Sequence, residues 1–279
     1  PAVLGTDAGL AALPVEIDPM YFELDGTFPN HEANPLEPKN LVDLQARVLE
    51  TGADMGLAFD GDADRCFVVD EHGEPVSPSV IGSIVARREI HRARAMGESE
   101  PVVLHNLICS RVVPETIAAE GGVPHRTAVG HSLIKDDMAK TNAVFGAEHS
   151  AHYYFRDFFG ADSGLLAALH VIAELGSQDQ PLSALAEVYQ PYRQTGERNF
   201  RVDDVPSVIA AIEEAFSDQA TIDRLDGLSV QGPAEGPDMW WFNVRASNTE
   251  PLLRVNIEAA TDQTLQEIVA RVDALIPGQ

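Results

Sequence analysis

The chain has 279 residues, of which 44% are hydrophobic and 23% charged, which is typical of a globular protein with room for two or three domains. Its formal net charge of -25 argues against nucleic acid and anionic membranes as partners, because both are bound through basic patches. Only two cysteines are present, and no apolar run approaches roughly 18 residues. With no signal peptide visible, we expect a cytoplasmic protein without a disulfide framework.

The first 75 residues predict part of an α/β domain. A strand is expected around Val15 to Asp18, and apolar residues at helical spacing predict a helix from Asn40 to Glu50 that Gly52 ends. Two further strands, MGLAF at 55–59 and CFVVD at 66–70, flank a polar loop.

That loop carries aspartates at alternate positions, Asp60, Asp62 and Asp64, followed directly by Arg65. Three carboxylates within five residues repel one another unless a cation lies between them, and Mg²⁺ and Ca²⁺ both take oxygen ligands. Arg65 adds a fixed positive charge suited to a phosphoryl group. The loop therefore predicts a divalent-metal site beside a phosphate, although an ordinary polar turn between strands is an open alternative.

An EF-hand calcium loop is the other alternative for this segment. The three aspartates and Glu71 occupy its positions one, three, five and twelve. Its sixth position requires glycine but is Arg65, and its flanks read as strands where an EF-hand has helices. The EF-hand interpretation is therefore rejected.

Beyond residue 75 the chain alternates between helical and strand patterns, which predicts a second, wound α/β domain with ligands at its strand ends. The expected helices lie at 80–96, after Ser110, after Ser132, at 162–175 and at 181–189; the expected strands are 101–107, 123–128 and 143–148. Residues 190–197 read as a linker. His131 stands at the start of the third helix, where exposed amide groups favour anions.

The segment GAEHSAHYYFRD begins at Gly146 and carries Glu148, Ser150 and His152 two residues apart. An extended backbone would point these three side chains to one side. Their mixture of acceptor and donor groups suits the hydroxyls of a sugar. A polar strand edge with ordinary surface histidines is the alternative.

The last part, from about Arg198, predicts an α+β domain with an open sheet. We expect strands at LSVQ, MWWFNV and LLRVNIEA and helices at 208–216 and 264–276. Of the adjacent Trp240 and Trp241, at least one must enter the core. Between the last two strands, four residues with donor groups that can surround a phosphate stand within five positions: Arg245, Ser247, Asn248 and Thr249. An ordinary turn is the alternative for this segment.

Together these segments resemble the alpha-D-phosphohexomutase family, the phosphomannomutase and phosphoglucomutase enzymes. The resemblance rests on LDGTFPNHEANPLEPKNL, DGDADR, GHSLIK, GAEHSAH and RASNTEP, in that order along the chain. It implies two mixed-sheet α/β domains, the first incomplete, followed by a smaller α+β domain with an open sheet. We place a metal-binding domain at 1–75, a sugar-binding domain at 76–192 and a phosphate-binding domain at 198–279.

The resemblance also implies roles for individual residues. Asp60, Asp62 and Asp64 would hold Mg²⁺, with Arg65 and His131 near the reacting end of the substrate. Glu148 and Ser150 would bind sugar hydroxyls, and the RASNTEP loop, with Arg245, Ser247, Asn248 and Thr249, would hold the phosphate that is not transferred. The expected ligands are a hexose phosphate and a hexose bisphosphate, and the expected reaction interconverts mannose 6-phosphate and mannose 1-phosphate, with glucose phosphates possible. The general base would be His131 or a group on the family's N-terminal domain, which this sequence does not match.

Three departures from the family pattern stand out. Ala147 and Ala151 replace the usual glycines of the sugar loop, where added methyl groups could shift the loop, and Ile108 replaces a basic residue of some relatives. Nothing matches the family's phosphoserine loop, a serine followed by His-Asn-Pro. We therefore expect the C-terminal part of a longer enzyme, inactive without the missing N-terminal phosphoserine domain. A catalytically silent phosphosugar-binding or regulatory fragment is the alternative.

Overall fold

A computed structural model describes residues 13–247 and 252–277. The chain divides into two compact units, the first made of Pro1–Arg126 and Gly130–Tyr189, the second of Thr127–Val129 and Gln190–Gln279. Within the described part of the chain, no helix combines the length and the apolar character needed to cross a membrane.

The first sheet of the first unit is built around the aspartate loop. Its strands β1 (Met55–Phe59), β2 (Cys66–Asp70) and β3 (Pro75–Val76) pair antiparallel in that order. A short 3-10 helix (Pro38–Asn40) precedes helix α1 (Val42–Thr51), which ends where Gly52 adopts the left-handed conformation at φ 67°.

Helix α1 packs closely on β1 because Gly56 has no side chain. A Cβ atom at Gly56 would lie 2.8 Å from Val48 and 3.0 Å from Leu44. The predicted helix and both predicted strands of this region are confirmed.

The strand predicted at Val15 to Asp18 was wrong. No strand is assigned there, and Val15 and Ile17 are 38% and 39% exposed. A strand requires a hydrogen-bonded neighbour, and none of the described strands pairs with this segment. Asp18 instead forms an ion pair with Arg47 of α1 at 2.6 Å.

The second sheet of the first unit is mixed, in the order β5-β4-β6-β7-β8. Strands β4 and β6 are parallel, whereas β7 pairs antiparallel with both of its neighbours, β6 and β8. Its elements in chain order are α2 (Pro78–Ala95), β4 (Val102–Asn106), α3 (Val112–Ala119), β5 (Val123–Thr127), α4 (His131–Thr141), β6 (Phe145–Ala147), β7 (Tyr153–Phe155), β8 (Ala161–Asp162), α5 (Gly164–Leu175) and α6 (Leu182–Glu187). The short strands β7 and β8 were not predicted.

The second unit is an open antiparallel sheet in the order β10-β11-β12-β13-β9, with helices packed on one face. Its elements are β9 (Arg193–Arg201), α7 (Val205–Phe216), β10 (Thr221–Asp223), β11 (Leu228–Gln231), β12 (Trp240–Ala246), β13 (Leu252–Ala259) and α8 (Asp262–Asp273). Trp240 enters the core at 7% exposure, whereas Trp241 donates to Glu258 at 2.7 Å, so one tryptophan of the pair is a core residue as predicted.

The linker predicted at 190–197 was wrong over most of its length. Strand β9 begins at Arg193 and pairs with β13 from Arg193↔Ala259 to Arg201↔Leu252. Its polar sequence misled the prediction, since an edge strand with half-exposed faces tolerates charged and polar side chains.

Candidate active site

The aspartate loop closes the β1–β2 hairpin, which places three carboxylates at one end of the first sheet. The strands pair up to Phe59↔Cys66, and the turn is closed by Ala63 N–H donating to Asp60 O at 3.2 Å. Ala63 adopts the left-handed conformation at φ 64°. As a result, one oxygen from each of Asp60, Asp62 and Asp64 lies within 4.8 Å of the others.

Burial and the neighbouring carboxylates change the ionisation of Asp64. Partial burial, and then the negative charges of Asp60 and Asp62, raise the pKa of Asp64 to about 6. Arg65 offsets part of this charge, because its Nε donates to Asp60 Oδ2 at 2.7 Å and its backbone N–H to Asp60 Oδ1 at 3.2 Å. The guanidinium therefore lies at the aspartate loop, as the sequence indicated, but it pairs with Asp60.

A second hairpin, β6 to β7, lies directly against this loop. Arg65 forms a backbone bridge with His152, and Cys66 N–H donates to Ala151 O at 3.4 Å. A second contact comes from Gly164 at the start of α5, which donates its N–H to Ala63 O at 3.2 Å. Backbone contacts with the β6–β7 hairpin and with α5 thus hold the aspartate loop in place.

The segment from Glu148 to His152 is a tight turn, so the expectation of an extended backbone was wrong. Glu148 N–H donates to His152 O at 3.0 Å, and Ala151, with φ 69°, donates to Glu148 O at 3.1 Å. The turn nevertheless brings the three predicted side chains together. His152 Nδ1 lies 3.0 Å from Ser150 Oγ and 3.5 Å from Glu148 Oε2.

Glu148 is buried and held by two groups that the sequence did not single out. Tyr154 donates its hydroxyl to Glu148 Oε2 at 2.7 Å, and Asn106 Nδ2 lies 3.4 Å from Oε1. Burial, with Glu148 adding to it, raises the pKa of Tyr154. Burial also lowers the pKa of His152, against the opposing attraction of Glu148. His152 is therefore mostly neutral near pH 7.

The two alanines that stand in place of the usual glycines differ in their surroundings. Ala147 is buried with its methyl group facing α2, where a Cβ atom at Gly82 would lie 3.0 Å from it. Ala151 takes up the left-handed conformation that glycine favours. Ile108 is buried at 7% exposure and offers no charge.

His131 begins α4, as predicted, and pairs with a carboxylate that was not predicted as a site residue. Its Nε2 lies 2.9 Å from Asp162 Oδ2, while Lys135, one turn along the helix, reaches Asp162 Oδ1 at 3.0 Å. Burial would disfavour the charge on Asp162, but Lys135 and His131 outweigh it and lower the pKa of this carboxyl. The His131 ring also lies 5.7 Å from the His152 ring.

Sequence reasoning missed Tyr154, Asp162 and Gly164 as site residues. Tyr154 stood in the quoted segment GAEHSAHYYFRD, but its contact with Glu148 depends on the turn between them, which the sequence did not predict. Asp162 and Gly164 were read only as the start of a helix. Their sequence context indicated only a helix start: Asp162 and Gly164 flank Ser163, whose side chain caps α5 by accepting from Leu166 N–H.

In the second unit, the predicted phosphate-binding residues stand at the end of β12. Arg245 is 5% exposed, its guanidinium donates to Glu197 Oε2 at 2.9 Å, and burial lowers its pKa. Ser247 N–H donates to Leu252 O at 2.8 Å, which links the residue after β12 to the first residue of β13. Asn248 and Thr249 lie outside the described residues.

Comparison with known proteins gives three consecutive matches along the chain. Family models for phosphoglucomutase/phosphomannomutase match as alpha/beta/alpha domain II at residues 3–73, alpha/beta/alpha domain III at 78–192 and the C-terminal domain at 197–275. The chain belongs to the phosphoglucomutase/phosphomannomutase family. The family and the fold class that the sequence predicted are both confirmed.

Individual relatives agree with the family match. A phosphomannomutase of Methanocaldococcus jannaschii is 35% identical over 90% of this chain and 54% of its own length. A Xanthomonas campestris protein named phosphohexose mutases is 40% identical over 91% of this chain and 55% of its own. A crystal structure of a phosphoglucomutase/phosphomannomutase family protein from Burkholderia thailandensis superposes with a TM-score of 0.79 at 30% identity, covering 93% of this chain and 55% of that one. The chain spans about half the length of the curated relatives it matches.

Proposed function

We propose that this chain supplies the metal-binding, sugar-binding and phosphate-binding parts of a phosphomannomutase that interconverts mannose 6-phosphate and mannose 1-phosphate through a bisphosphorylated sugar, with glucose phosphates accepted as well. The observation that carries the proposal is the backbone bridge between Arg65 and His152. It sets the aspartate loop against the turn that holds Glu148, in a chain whose relatives are phosphomannomutases.

The donor set of the aspartate loop fits Mg²⁺. It offers only carboxylate oxygens, which Mg²⁺ prefers. The raised pKa of Asp64 reflects its burial and the repulsion from Asp60 and Asp62, and a bound cation would relieve that repulsion. Asp60, Asp62 and Asp64 would hold the ion. When bound, Mg²⁺ would neutralise part of the charge on the phosphoryl group.

The residues of the turn are proposed to recognise the sugar. Glu148 is fixed by Tyr154 and keeps acceptor capacity for a ring hydroxyl. Ser150 and His152 lie beside it and offer hydroxyl and imidazole groups. Holding the ring in one orientation is the main requirement of a reaction whose catalysis is positioning and charge stabilisation.

Arg65 and His131 are proposed to act at the reacting end of the substrate. Arg65 would steady the phosphoryl group while remaining oriented by Asp60. His131 would accept the proton of the attacking sugar hydroxyl, with Asp162 holding its ring.

A separate clamp in the second unit is proposed for the phosphate that is not transferred. Arg245 and Ser247 would supply donors to it, together with Asn248 and Thr249. Glu197 keeps the Arg245 guanidinium charged and oriented within its buried surroundings.

The domain boundaries at 1–75, 76–192 and 198–279 are proposed to follow these roles. The three family models begin and end close to the same positions, which supports the division.

The proposal is tested by titrating Mg²⁺ into the chain calorimetrically, comparing wild type with Asp62→Ala. Removing one of three carboxylates leaves too few protein ligands for a weakly held hard cation, so binding should be lost. Asp54→Ala is the matched control, because it removes the same charge from an exposed position just before β1 and should leave binding intact. Equal Mg²⁺ affinity in wild type and Asp62→Ala would contradict the metal assignment.

A further inference from the structure

Beside the aspartate loop lies a second group of side chains with the spacing of metal ligands. Asp64, His152 and Asp162 each offer one ligand atom, and these atoms lie within 4.8 Å of one another. The group shares Asp64 with the aspartate loop. Its other members are His152, which directly precedes β7, and Asp162, which lies in β8. It differs chemically as well, because it includes an imidazole nitrogen.

His152 is oriented as metal-bound histidines are. Such histidines present one ring nitrogen to the ion while the other is bonded to a carboxylate or similar group. Here Nδ1 lies 3.0 Å from Ser150 Oγ and 3.5 Å from Glu148 Oε2, which leaves Nε2 facing Asp64.

The distance from His152 Nε2 to Asp64 Oδ1 is 3.6 Å, which is too long for a hydrogen bond. Two ligands about 2.0 to 2.1 Å from a tetrahedral ion lie roughly 3.4 Å apart. The pair therefore fits two ligands of one ion better than it fits a direct contact.

Asp162 supplies a buried oxygen with bonding capacity left. Its side chain is only 5% exposed, and each of its oxygens has one neighbour: Lys135 pairs with Oδ1 at 3.0 Å, and His131 Nε2 lies 2.9 Å from Oδ2. Each carboxylate oxygen carries two lone pairs, so these contacts leave Asp162 able to bind a metal ion as well.

We propose that Asp64, His152 and Asp162 form a second metal site that takes a borderline divalent ion of the Zn²⁺ type in preference to Mg²⁺. An imidazole nitrogen with two carboxylates suits Zn²⁺ and its neighbours in the transition series, whereas Mg²⁺ favours oxygen ligands alone. Because Asp64 belongs to both groups, an ion bound here would compete with Mg²⁺ on the aspartate loop.

The test uses Co²⁺ as a spectroscopic substitute for Zn²⁺. The 279-residue chain is titrated with Co²⁺ and followed by its visible absorption, and with Mg²⁺ by calorimetry, in wild type, His152→Ala, Asp162→Asn and Asp62→Asn. His152→Ala and Asp162→Asn should each weaken Co²⁺ binding by at least about tenfold while changing Mg²⁺ affinity less than about threefold. Asp62→Asn should do the reverse, and Zn²⁺ should displace Co²⁺ from the wild type.

The Co²⁺ and Mg²⁺ titrations distinguish a failure of the second metal site from a failure of the proposed Mg²⁺ site. Co²⁺ binding that survives His152→Ala and Asp162→Asn, or that is lost in Asp62→Asn alone, would place Co²⁺ on the aspartate loop and overturn the second site. Mg²⁺ binding that survives Asp62→Asn would instead contradict the proposed Mg²⁺ site. Thermal unfolding checks each variant, and if His152→Ala does not fold, the nearly isosteric Asp162→Asn decides the question.

Discussion

Replacing Gly164 by alanine should weaken Mg²⁺ binding without touching any proposed ligand. Gly164 lies under the metal loop at the start of α5, where a Cβ atom would stand 2.4 Å from Arg65 O and 3.0 Å from Ala63 O. Ordinary contact begins at 3.4 Å, so the backbone that carries Asp64 must move by about 1 Å. Metal sites tolerate displacements of only about 0.5 Å.

The magnitude follows from the cost of forcing one methyl group into a packed position, about 1–3 kcal/mol. If the loop yields and must return to its original position when the ion binds, this cost opposes binding. Mg²⁺ affinity should then fall roughly 5- to 150-fold. If the loop does not yield, the same strain is retained in the folded chain and the melting temperature falls instead.

Calorimetric titration with Mg²⁺ and thermal unfolding of the same samples measure both outcomes. Gly61→Ala is the matched control, since it adds a methyl group to the same loop where the nearest atoms, of Ala33 and Phe28, are 3.7 Å away. Wild-type Mg²⁺ affinity together with a wild-type melting temperature in Gly164→Ala would refute the claim that this glycine supports the loop.

Three further predictions follow from the same geometry. The pKa of Asp64 in the metal-free chain is raised to about 6, and this carboxyl must lose its proton to bind an ion. Mg²⁺ affinity should therefore be constant above pH 6 and fall roughly tenfold per pH unit below it. A Mg²⁺ affinity that calorimetry finds unchanged down to pH 5 would contradict this. Arg245→Ala removes two charge-assisted hydrogen bonds of about 1.5 kcal/mol each, so affinity for mannose 1-phosphate and glucose 1-phosphate should fall about a hundredfold for both, whereas the exposed Arg224→Ala should change little. The purified 279-residue chain should not convert mannose 1-phosphate to mannose 6-phosphate even with bisphosphate activator, in an enzyme-coupled assay; turnover would mean that a phosphoryl-accepting residue lies within these residues.

The parts of the site that the sequence predicted are those fixed by local pattern. Short apolar runs marked β1 and β2, and the spacing of the aspartates then placed three carboxylates in one turn. No comparable pattern marks Asp162, whose relation to Asp64 arises from the pairing of β7 with β8 about a hundred residues later in the chain. Contacts of that kind depend on tertiary packing that local periodicity does not encode.

The turn from Glu148 to His152 shows how a wrong local prediction reached the right grouping. Period-two spacing suggested an extended strand with three side chains on one face. The actual backbone reverses at Ala151, at φ 69°, and the reversal brings the His152 ring to both Ser150 and Glu148. Both geometries gather residues two apart, so the spacing alone could not distinguish them.

The charge of the molecule sets a final constraint on how it can bind phosphosugars. With a net charge of -25, attraction for a phosphate must come from a few local cations. Each candidate already pairs with a carboxylate, Arg65 with Asp60 at 2.7 Å, Lys135 with Asp162 at 3.0 Å and Arg245 with Glu197 at 2.9 Å. A phosphate approaching the first unit therefore meets side chains whose summed formal charge is negative, because the carboxylates of Asp62, Asp64 and Glu148 come in addition to these ion pairs. A divalent ion on the aspartate loop would supply the positive charge that a phosphosugar needs there, so we predict that phosphosugar affinity and metal occupancy rise and fall together.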